Sequence, residues 1–318
     1  MKNIGFNTVH ELSMINRLAK DDPLGFIARC EEDYAKTVKK VSDEFTKYGG
    51  RTVALLSGPS GSGKTTSANK IAAELEKTGK QAITISLDNF YRGRDDAPLL
   101  PNGSRDYESI YALNITALQE CLSDIMITGS CMMPEFDFSV GAPKKERINV
   151  TLKDEGVLIL EGIHALNPML VGALEEIQGI NILKLYVSIG EGITDGDKTV
   201  VTPRELRLMR RMTRDFSHRA SSPQNTLHLW TNVVAGEDKY IAPYMGTADL
   251  NINTLHPYEP CVFAENTLPL LEKVNKSDEN YETAMHLLDF LRRITPISED
   301  SIPETSLLNE FIVIESRL

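Results

Sequence analysis

No stretch of this chain leaves less freedom than Gly58-Pro-Ser-Gly-Ser-Gly-Lys64-Thr65, which fits G-x-x-x-x-G-K-[ST] without mismatch. At ordinary glycine and lysine usage, a chance match in a chain of this size is on the order of one in a hundred. The context narrows the reading further. Thr52–Leu56 ahead of it is a short apolar run, as a buried parallel strand requires, and Ser67–Lys77 behind it reads as a helix ended by Gly79. Small residues between a strand and a helix let backbone N–H groups turn toward phosphates, at the positive end of that helix. Gly58, Pro59, Ser60, Gly61, Ser62, Gly63, Lys64, Thr65 and Thr66 therefore form the expected nucleotide-binding set. Lys64 is expected to reach the β- and γ-phosphates, and the Thr65 hydroxyl to ligate Mg²⁺.

Strands and helices alternate after the loop. Gln81–Leu87, Arg147–Leu152, Val157–Leu160 and Ile182–Ser188 read as strands, with Lys153–Gly156 as the turn between the middle two. Helices are expected near 114–127 and over 203–215, with a polar loop at 92–106 and a Gly/Asp-rich loop at 190–198. This order predicts an α/β protein of the P-loop nucleoside triphosphate hydrolase fold, its parallel sheet flanked by helices on both faces. Residues 51–255 form the expected core, with helical extensions over 1–50 and 256–318. In the first extension Phe26, Ile27, Tyr34, Val38, Val41 and Phe45 recur at helical spacing before Tyr48-Gly49-Gly50 breaks the pattern. Asn275-Lys276-Ser277-Asp278 spells the base-reading NKxD of GTPases. It follows an amphipathic helix, and the one DxxG (Asp22–Gly25) precedes the phosphate loop, so NKSD reads as a surface turn.

Two carboxylates and a basic segment are the further site candidates. Asp88 stands at the carboxyl end of a strand, where open α/β sheets bind ligands, and is placed to take a proton from a substrate hydroxyl. Glu161 directly follows the apolar run Val157–Leu160, as a Mg²⁺-site carboxylate would. Arg204, Arg207, Arg210, Arg211, Arg214 and Arg219 crowd sixteen residues of a chain whose net charge is −11. That density reads as a lid closing on phosphates, one arginine stabilising the transferred phosphoryl group. His164 reads as a hydrogen-bonded structural residue and Trp230 as a core anchor. The acidic balance excludes sequence-blind nucleic-acid binding. Cys30, Cys121, Cys131 and Cys261 are scattered and read as reduced thiols. No apolar run approaches the ~20 residues of a membrane span, and the N-terminus lacks a signal-like stretch. A cytoplasmic protein is expected.

In order, GPSGSGKTT, SLDNFY, RDYES, PEFDF, VLILEGIHALNP, LMRRMTRD and EDKYIAPYMGTADLNIN resemble the uridine kinase/phosphoribulokinase family of P-loop kinases over about 50–255. The C-terminal stretch around Pro303–Phe311 is similar to the kinase portion of bacterial nucleoside kinase-like proteins. Those carry a threonyl-tRNA-synthetase-like region in front, which is missing from this sequence. The resemblance implies Asp88 as the base, acting with Lys64 and Arg214, and Thr65 and Glu161 as the Mg²⁺ residues. It places Tyr91, Asp106 and Phe136 near the acceptor, Asp106 on the sugar hydroxyls, and makes Arg211, Arg214 and Arg219 the lid. Two departures stand out. Uridine kinases have Tyr-Asp-Phe followed by a base-contacting His; here Phe136-Asp137-Phe138 leads to Gly141 at the aligned position, and the lid's Arg-Gly-Arg is Arg219-Ala220-Ser221. The expected activity is transfer of the γ-phosphoryl of ATP to a nucleoside hydroxyl, most simply the 5′ position of uridine or cytidine. The alternatives are the same chemistry on a sugar phosphate or other small alcohol, and an ATP-binding regulatory protein without turnover. The expected partner is a small-molecule acceptor, not a nucleic acid or a membrane; family members often assemble, so a homo-oligomer is also expected.

Overall fold

The computed structural model describes residues 10–100 and 103–313 and the backbone of residues 2–4. Residues 1, 5–9, 101–102 and 314–318, which belong to the two expected extensions and the polar loop, lie outside the described residues. The strands are β1 (Lys2–Ile4), β2 (Thr52–Ser57), β3 (Ala82–Ser86), β4 (Ser130–Asp137), β5 (Ala142–Thr151), β6 (Val157–Glu161), β7 (Asn181–Ser188), β8 (Ile193–Asp195), β9 (Lys198–Val201) and β10 (Leu250–Asn253). The helices are α1 (Leu12–Asp21), α2 (Pro23–Phe45), α3 (Lys64–Lys77), α4 (Ile115–Thr128), α5 (Pro168–Glu175) and α6 (Pro203–Arg219). They continue with α7 (Pro223–Tyr240), α8 (Ala242–Met245), α9 (Glu259–Asn266), α10 (Leu268–Leu271) and α11 (Tyr281–Leu291).

Six strands form one parallel sheet in the order β1-β10-β7-β2-β6-β3. The phosphate-loop strand β2 lies inside it, between β7 and β6, with Ala54 opposite both Leu183 and Ile159. Its six residues are all buried, and alternate side chains feed opposite cores. Ala54 and Leu56 join the cluster under α2, α3 and α9, while Val53 and Leu55 join the one under α4 and α5. Burial on both faces explains why the strand reads as a continuous apolar run.

The extensions share the first of those cores. Asp22 caps the start of α2 on the Gly25 amide at 3.0 Å, and Pro23 occupies its first turn. All six apolar positions singled out in this helix are buried. Tyr34 Oη meets Ser67 Oγ of α3 at 2.7 Å, so α2 lies along the helix that follows the phosphate loop. At the other end of the chain Leu307, Leu308 and Phe311 are fully buried in the same cluster.

Three strand features differ from expectation. β1 adds an edge strand from within the presumed helical lead-in, parallel to β10; three residues are too short to show a period. Arg147–Thr151 of the expected strand Arg147–Leu152 belongs to β5, which leaves the main sheet and pairs antiparallel with β4. Nearly every β5 side chain is exposed, so no apolar alternation marks its role. The Gly/Asp-rich loop holds the small hairpin β8–β9. The NKSD segment is an exposed turn, as read, and Trp230 packs partly buried against the core. All four cysteines are buried and free, and among the described residues no helix is long and apolar enough to cross a membrane.

Docking of the C-terminal segment into the common core has a measurable consequence. Phe311→Ala should lower unfolding stability by about 3–5 kcal/mol, the usual cost of deleting a buried phenyl ring. Urea denaturation reads it, and an unchanged midpoint would mean that the segment is not part of the core.

Candidate active site

β2 ends at the phosphate loop, which turns at Gly61 (φ +74°) and Gly63 (φ +82°), conformations that favour glycine. Space is equally restrictive: a Cβ at Gly58 would stand 2.1 Å from the Val187 carbonyl oxygen. A loop that offers its amides to a ligand must dispose of its carbonyls elsewhere. Here each of four successive carbonyls has a named donor. Lys64 Nζ donates to Pro59 O at 3.1 Å, Arg207 Nη1 to Ser60 O at 3.0 Å, Arg210 Nη1 to Gly61 O at 3.2 Å and Thr254 Oγ1 to Ser62 O at 2.8 Å. Arg210 is wholly buried; its Nε and Nη2 donate to Glu259 Oε2 at 3.0 and 2.6 Å, and Nη2 also to Thr254 O at 2.8 Å. Arg207 in turn pairs with buried Glu237 at 2.7 Å.

The loop opens into a cleft of about 890 Å³ that gathers Lys64, Thr65, Asp88, Tyr91, Phe136, Glu161, Arg211, Arg214 and Arg219, all singled out from sequence. Ser60, Gly61 and Gly63 line it as well, whereas Gly58, Pro59, Ser62 and Thr66 of the expected set are not among the lining residues. Asp88 lies in a 3-10 turn, Leu87–Phe90, directly after β3, with its amide bonded to Ser86 Oγ. Its carboxylate faces the water of the cleft, yet the crowding walls push it above the usual carboxylate value against the pull of Lys64, Arg219 and Arg214. Burial raises Glu161 as well, and lowers Lys64 against the attraction of Glu161 and Asp88. Thr65 Oγ1 stands 3.4 Å from Glu161 Oε1, a hydroxyl and a carboxylate on facing walls.

The basic helix α6 divides its labour. Arg204, Arg207 and Arg210 turn away from the cleft to Asp238, Glu237 and Glu259. Arg211, Arg214 and Arg219 line the cleft around one buried carboxylate: Asp215 is 3.1, 2.9 and 3.4 Å from the three guanidiniums. The expected lid thus narrows to half of the arginines. Asp215 was not singled out, although its i−4, i−1 and i+4 arginines are the available signal. Ala220 ends α6 at φ +50°, left-handed, where the family pattern has glycine.

Beyond Asp88 the walls become aromatic. Tyr91 and Phe136 meet edge to face at 6.0 Å, Phe136 and Phe138 at 5.0 Å, and Tyr91 Oη donates to Tyr107 O at 3.2 Å. Asp106 does not line the cleft; it is buried behind the wall, where its carboxylate accepts from Tyr240 Oη at 2.6 Å. Its near neighbour Glu108 faces the cleft instead, raised by burial against Arg211. His164 is buried edge-on to Tyr240 and burial lowers it to about 4, but neither ring nitrogen has a hydrogen-bond partner among the described residues, so the hydrogen bond expected of it is not formed. Arg92 and Arg94 follow the SLDNFY segment into the cleft and were missed. Arg94 donates its amide to Gly141 O at 3.0 Å and Nη2 to Phe138 O at 3.3 Å. A Cβ at Gly141 would stand 2.3 Å from Arg94 Nε, so the arginine fills the space a side chain there would need.

Residues 53–259 match the model of the Phosphoribulokinase / Uridine kinase family. The chain belongs to that family. It is 28% identical over 202 residues to uridine kinase of Staphylococcus aureus, covering 63% of this chain and 86% of that protein. Among solved structures, a possible uridine kinase from Bacillus stearothermophilus aligns at a TM-score of 0.48 and 15% identity, over 70% of this chain and 98% of that one. Phosphoribulokinase from Rhodobacter spheroides aligns at 0.42 and 16%, over 62% and 68%. As a kinase of the phosphoribulokinase/uridine kinase family, the protein takes a nucleoside triphosphate and a small-molecule acceptor.

The ion pair behind the phosphate loop should be indispensable. Glu259→Gln leaves Arg210 buried without a counter-charge and should cost about 3–5 kcal/mol of stability. The same urea titration checks it, and a loss below 1 kcal/mol would show that the loop does not depend on this pair.

Proposed function

We propose that the protein transfers the γ-phosphoryl group of ATP to a hydroxyl of a nucleoside, with the 5′ position of uridine or cytidine as the first candidate. The observation that carries this reading is the meeting, in one cleft, of the phosphate loop, an acid on the neighbouring strand end and three arginines around Asp215. Asp88 accepts the proton of the acceptor hydroxyl as its oxygen bonds to the γ-phosphorus. The bond to the β-γ bridging oxygen breaks, and ADP leaves. Lys64 and Arg214 face the charge that builds on the phosphoryl oxygens. Arg211 and Arg219, held with Arg214 on the same carboxylate, close the cleft against water.

The donor set suits Mg²⁺, which takes one or two protein oxygens and leaves its other positions to water and substrate phosphates. Thr65 and Glu161 would hold it, and it would neutralise phosphate charge there. The aromatic walls of Tyr91, Phe136 and Phe138 suit a flat base.

A second acceptor class, an alcohol bearing its own phosphate or carboxylate, rests on Arg92 and Arg94. Neither has a carboxylate within ion-pair distance among the described residues, and Arg94 stands where the aligned base-contacting histidine would need room.

Asp88→Asn should retain ATP binding while kcat falls about 10²–10⁴-fold. The base works only when ionised, so kcat/KM should fall as pH drops through its raised pKa. That acid limb should lie above the ordinary aspartate value of about 3.9 and vanish in the Asn variant. Undiminished turnover in that variant would remove Asp88 as base. Arg94→Ala separates the acceptor classes. If the acceptor is anionic, its kcat/KM should drop about 10–100-fold with little change for nucleosides, as expected on losing one charged hydrogen bond. A steady-state screen of nucleosides, sugar phosphates and hydroxy acids reads both. Tight ATP binding without turnover on any acceptor would favour a regulatory protein.

A further inference from the structure

We propose that the Glu310 carboxylate occupies a phosphate position of the nucleotide site, and that ATP binds by displacing it. The inference rests on reading the cleft as the nucleotide site. Thr66 lies in the first turn of α3, two residues beyond Lys64, where amides and the helix end favour an anion. Both of its donors are engaged by the same atom: Glu310 Oε2 accepts from Thr66 Oγ1 at 2.6 Å and from Thr66 N at 3.3 Å. Glu310 also lines the cleft. The contact joins residues 244 positions apart in sequence, so the tail is brought to the loop by the fold.

The segment that delivers Glu310 is fixed on either side of it. Leu307 packs on the phosphate loop, its Cδ1 2.7 Å from where a Cβ on Gly63 would lie. Ser306 Oγ is bonded to Tyr258 Oη at 3.0 Å, and the buried Phe311 ring lies 5.1 Å from the Arg210 guanidinium. Release therefore needs only rotation of the Glu310 side chain, with the backbone in place. Among the described residues Glu310 has no cation within ion-pair distance and is held at hydrogen-bond range by neutral donors. A phosphate presented to those donors brings more charge and reaches Lys64 as well, so it can replace the carboxylate. Two anions cannot share them. The resident carboxylate then acts as a built-in competitor that weakens nucleotide binding and speeds ADP release.

Calorimetric titration with ATP and with ADP of the unmodified protein, Glu310→Gln, Glu310→Ala and Lys64→Ala tests this. Both Glu310 variants should bind ATP about tenfold more tightly, equivalent to about 1.4 kcal/mol. The Gln variant keeps an oxygen to accept from Thr66, so its fold is preserved even if the Ala variant loosens the tail. Unchanged or weaker binding in Glu310→Gln, alongside weakened binding in Lys64→Ala, would overturn the Glu310 role and leave the nucleotide site standing. Binding that is indifferent to Lys64→Ala would overturn both.

Discussion

A guanidinium with no exposed surface, Arg210, sits under the phosphate loop, and most of the site depends on it. Burying an isolated charge is prohibitive, so such a group persists only where every donor finds an acceptor. Glu259 supplies the opposite charge, while the Gly61 carbonyl and both oxygens of Thr254 take the remaining hydrogen bonds. The acceptors come from separate places: the phosphate loop, the residue just after β10, and the start of α9. Phe311 closes the far side. One side chain thus ties the loop to the carboxyl end of β10, the basic helix and the C-terminal segment.

That tie gives the arginine-rich helix two functions from one surface. Arg207 and Arg210 reach the carbonyl face of the phosphate loop, whereas Arg211 and Arg214, each one helical turn further along the same side of α6, enter the cleft. Fixing the loop from behind and charging the cleft in front are therefore mechanically coupled. A displacement of α6 would disturb both together. Asp215 extends the coupling by restraining three mutually repelling arginines around one carboxylate, which keeps them oriented toward the cleft at lower entropic cost when a phosphate arrives.

Local chemistry was legible in the sequence; long-range chemistry was not. The phosphate loop, Asp88 after β3 and Glu161 at the end of β6 are fixed by strand ends, so a short run of residues suffices to place them. The burial of Phe26, Tyr34 and Val41 followed from helical spacing alone. Other roles depend on partners far away in the chain. Arginine density gave no way to separate Arg207 and Arg210 from Arg211 and Arg214, because the difference lies in Glu237 and Glu259. Asp106 and Glu108 are two residues apart, and only Tyr240 decides which is buried and which faces the cleft. Glu310 carried no local pattern at all.

The same distinction separates the two halves of the cleft. On the phosphate side, backbone carbonyls, a buried ion pair and parallel strands determine each position, and few substitutions would be tolerated. On the acceptor side the walls come from the turn after β3, the segment around Tyr107 and the β4–β5 hairpin, whose strands lie outside the main sheet and expose most of β5. A change there, such as Gly141 with Arg94 across it, reshapes the wall of the cleft away from the phosphate loop. The chain's net charge of −11 shows the result: the acidic excess is spread over the surface, while six cationic side chains face four carboxylates inside the cleft. If an incoming nucleotide displaces Glu310, one carboxylate leaves the cleft but the phosphates bring in more negative charge than it removes, so the six cations serve chiefly to hold the nucleotide.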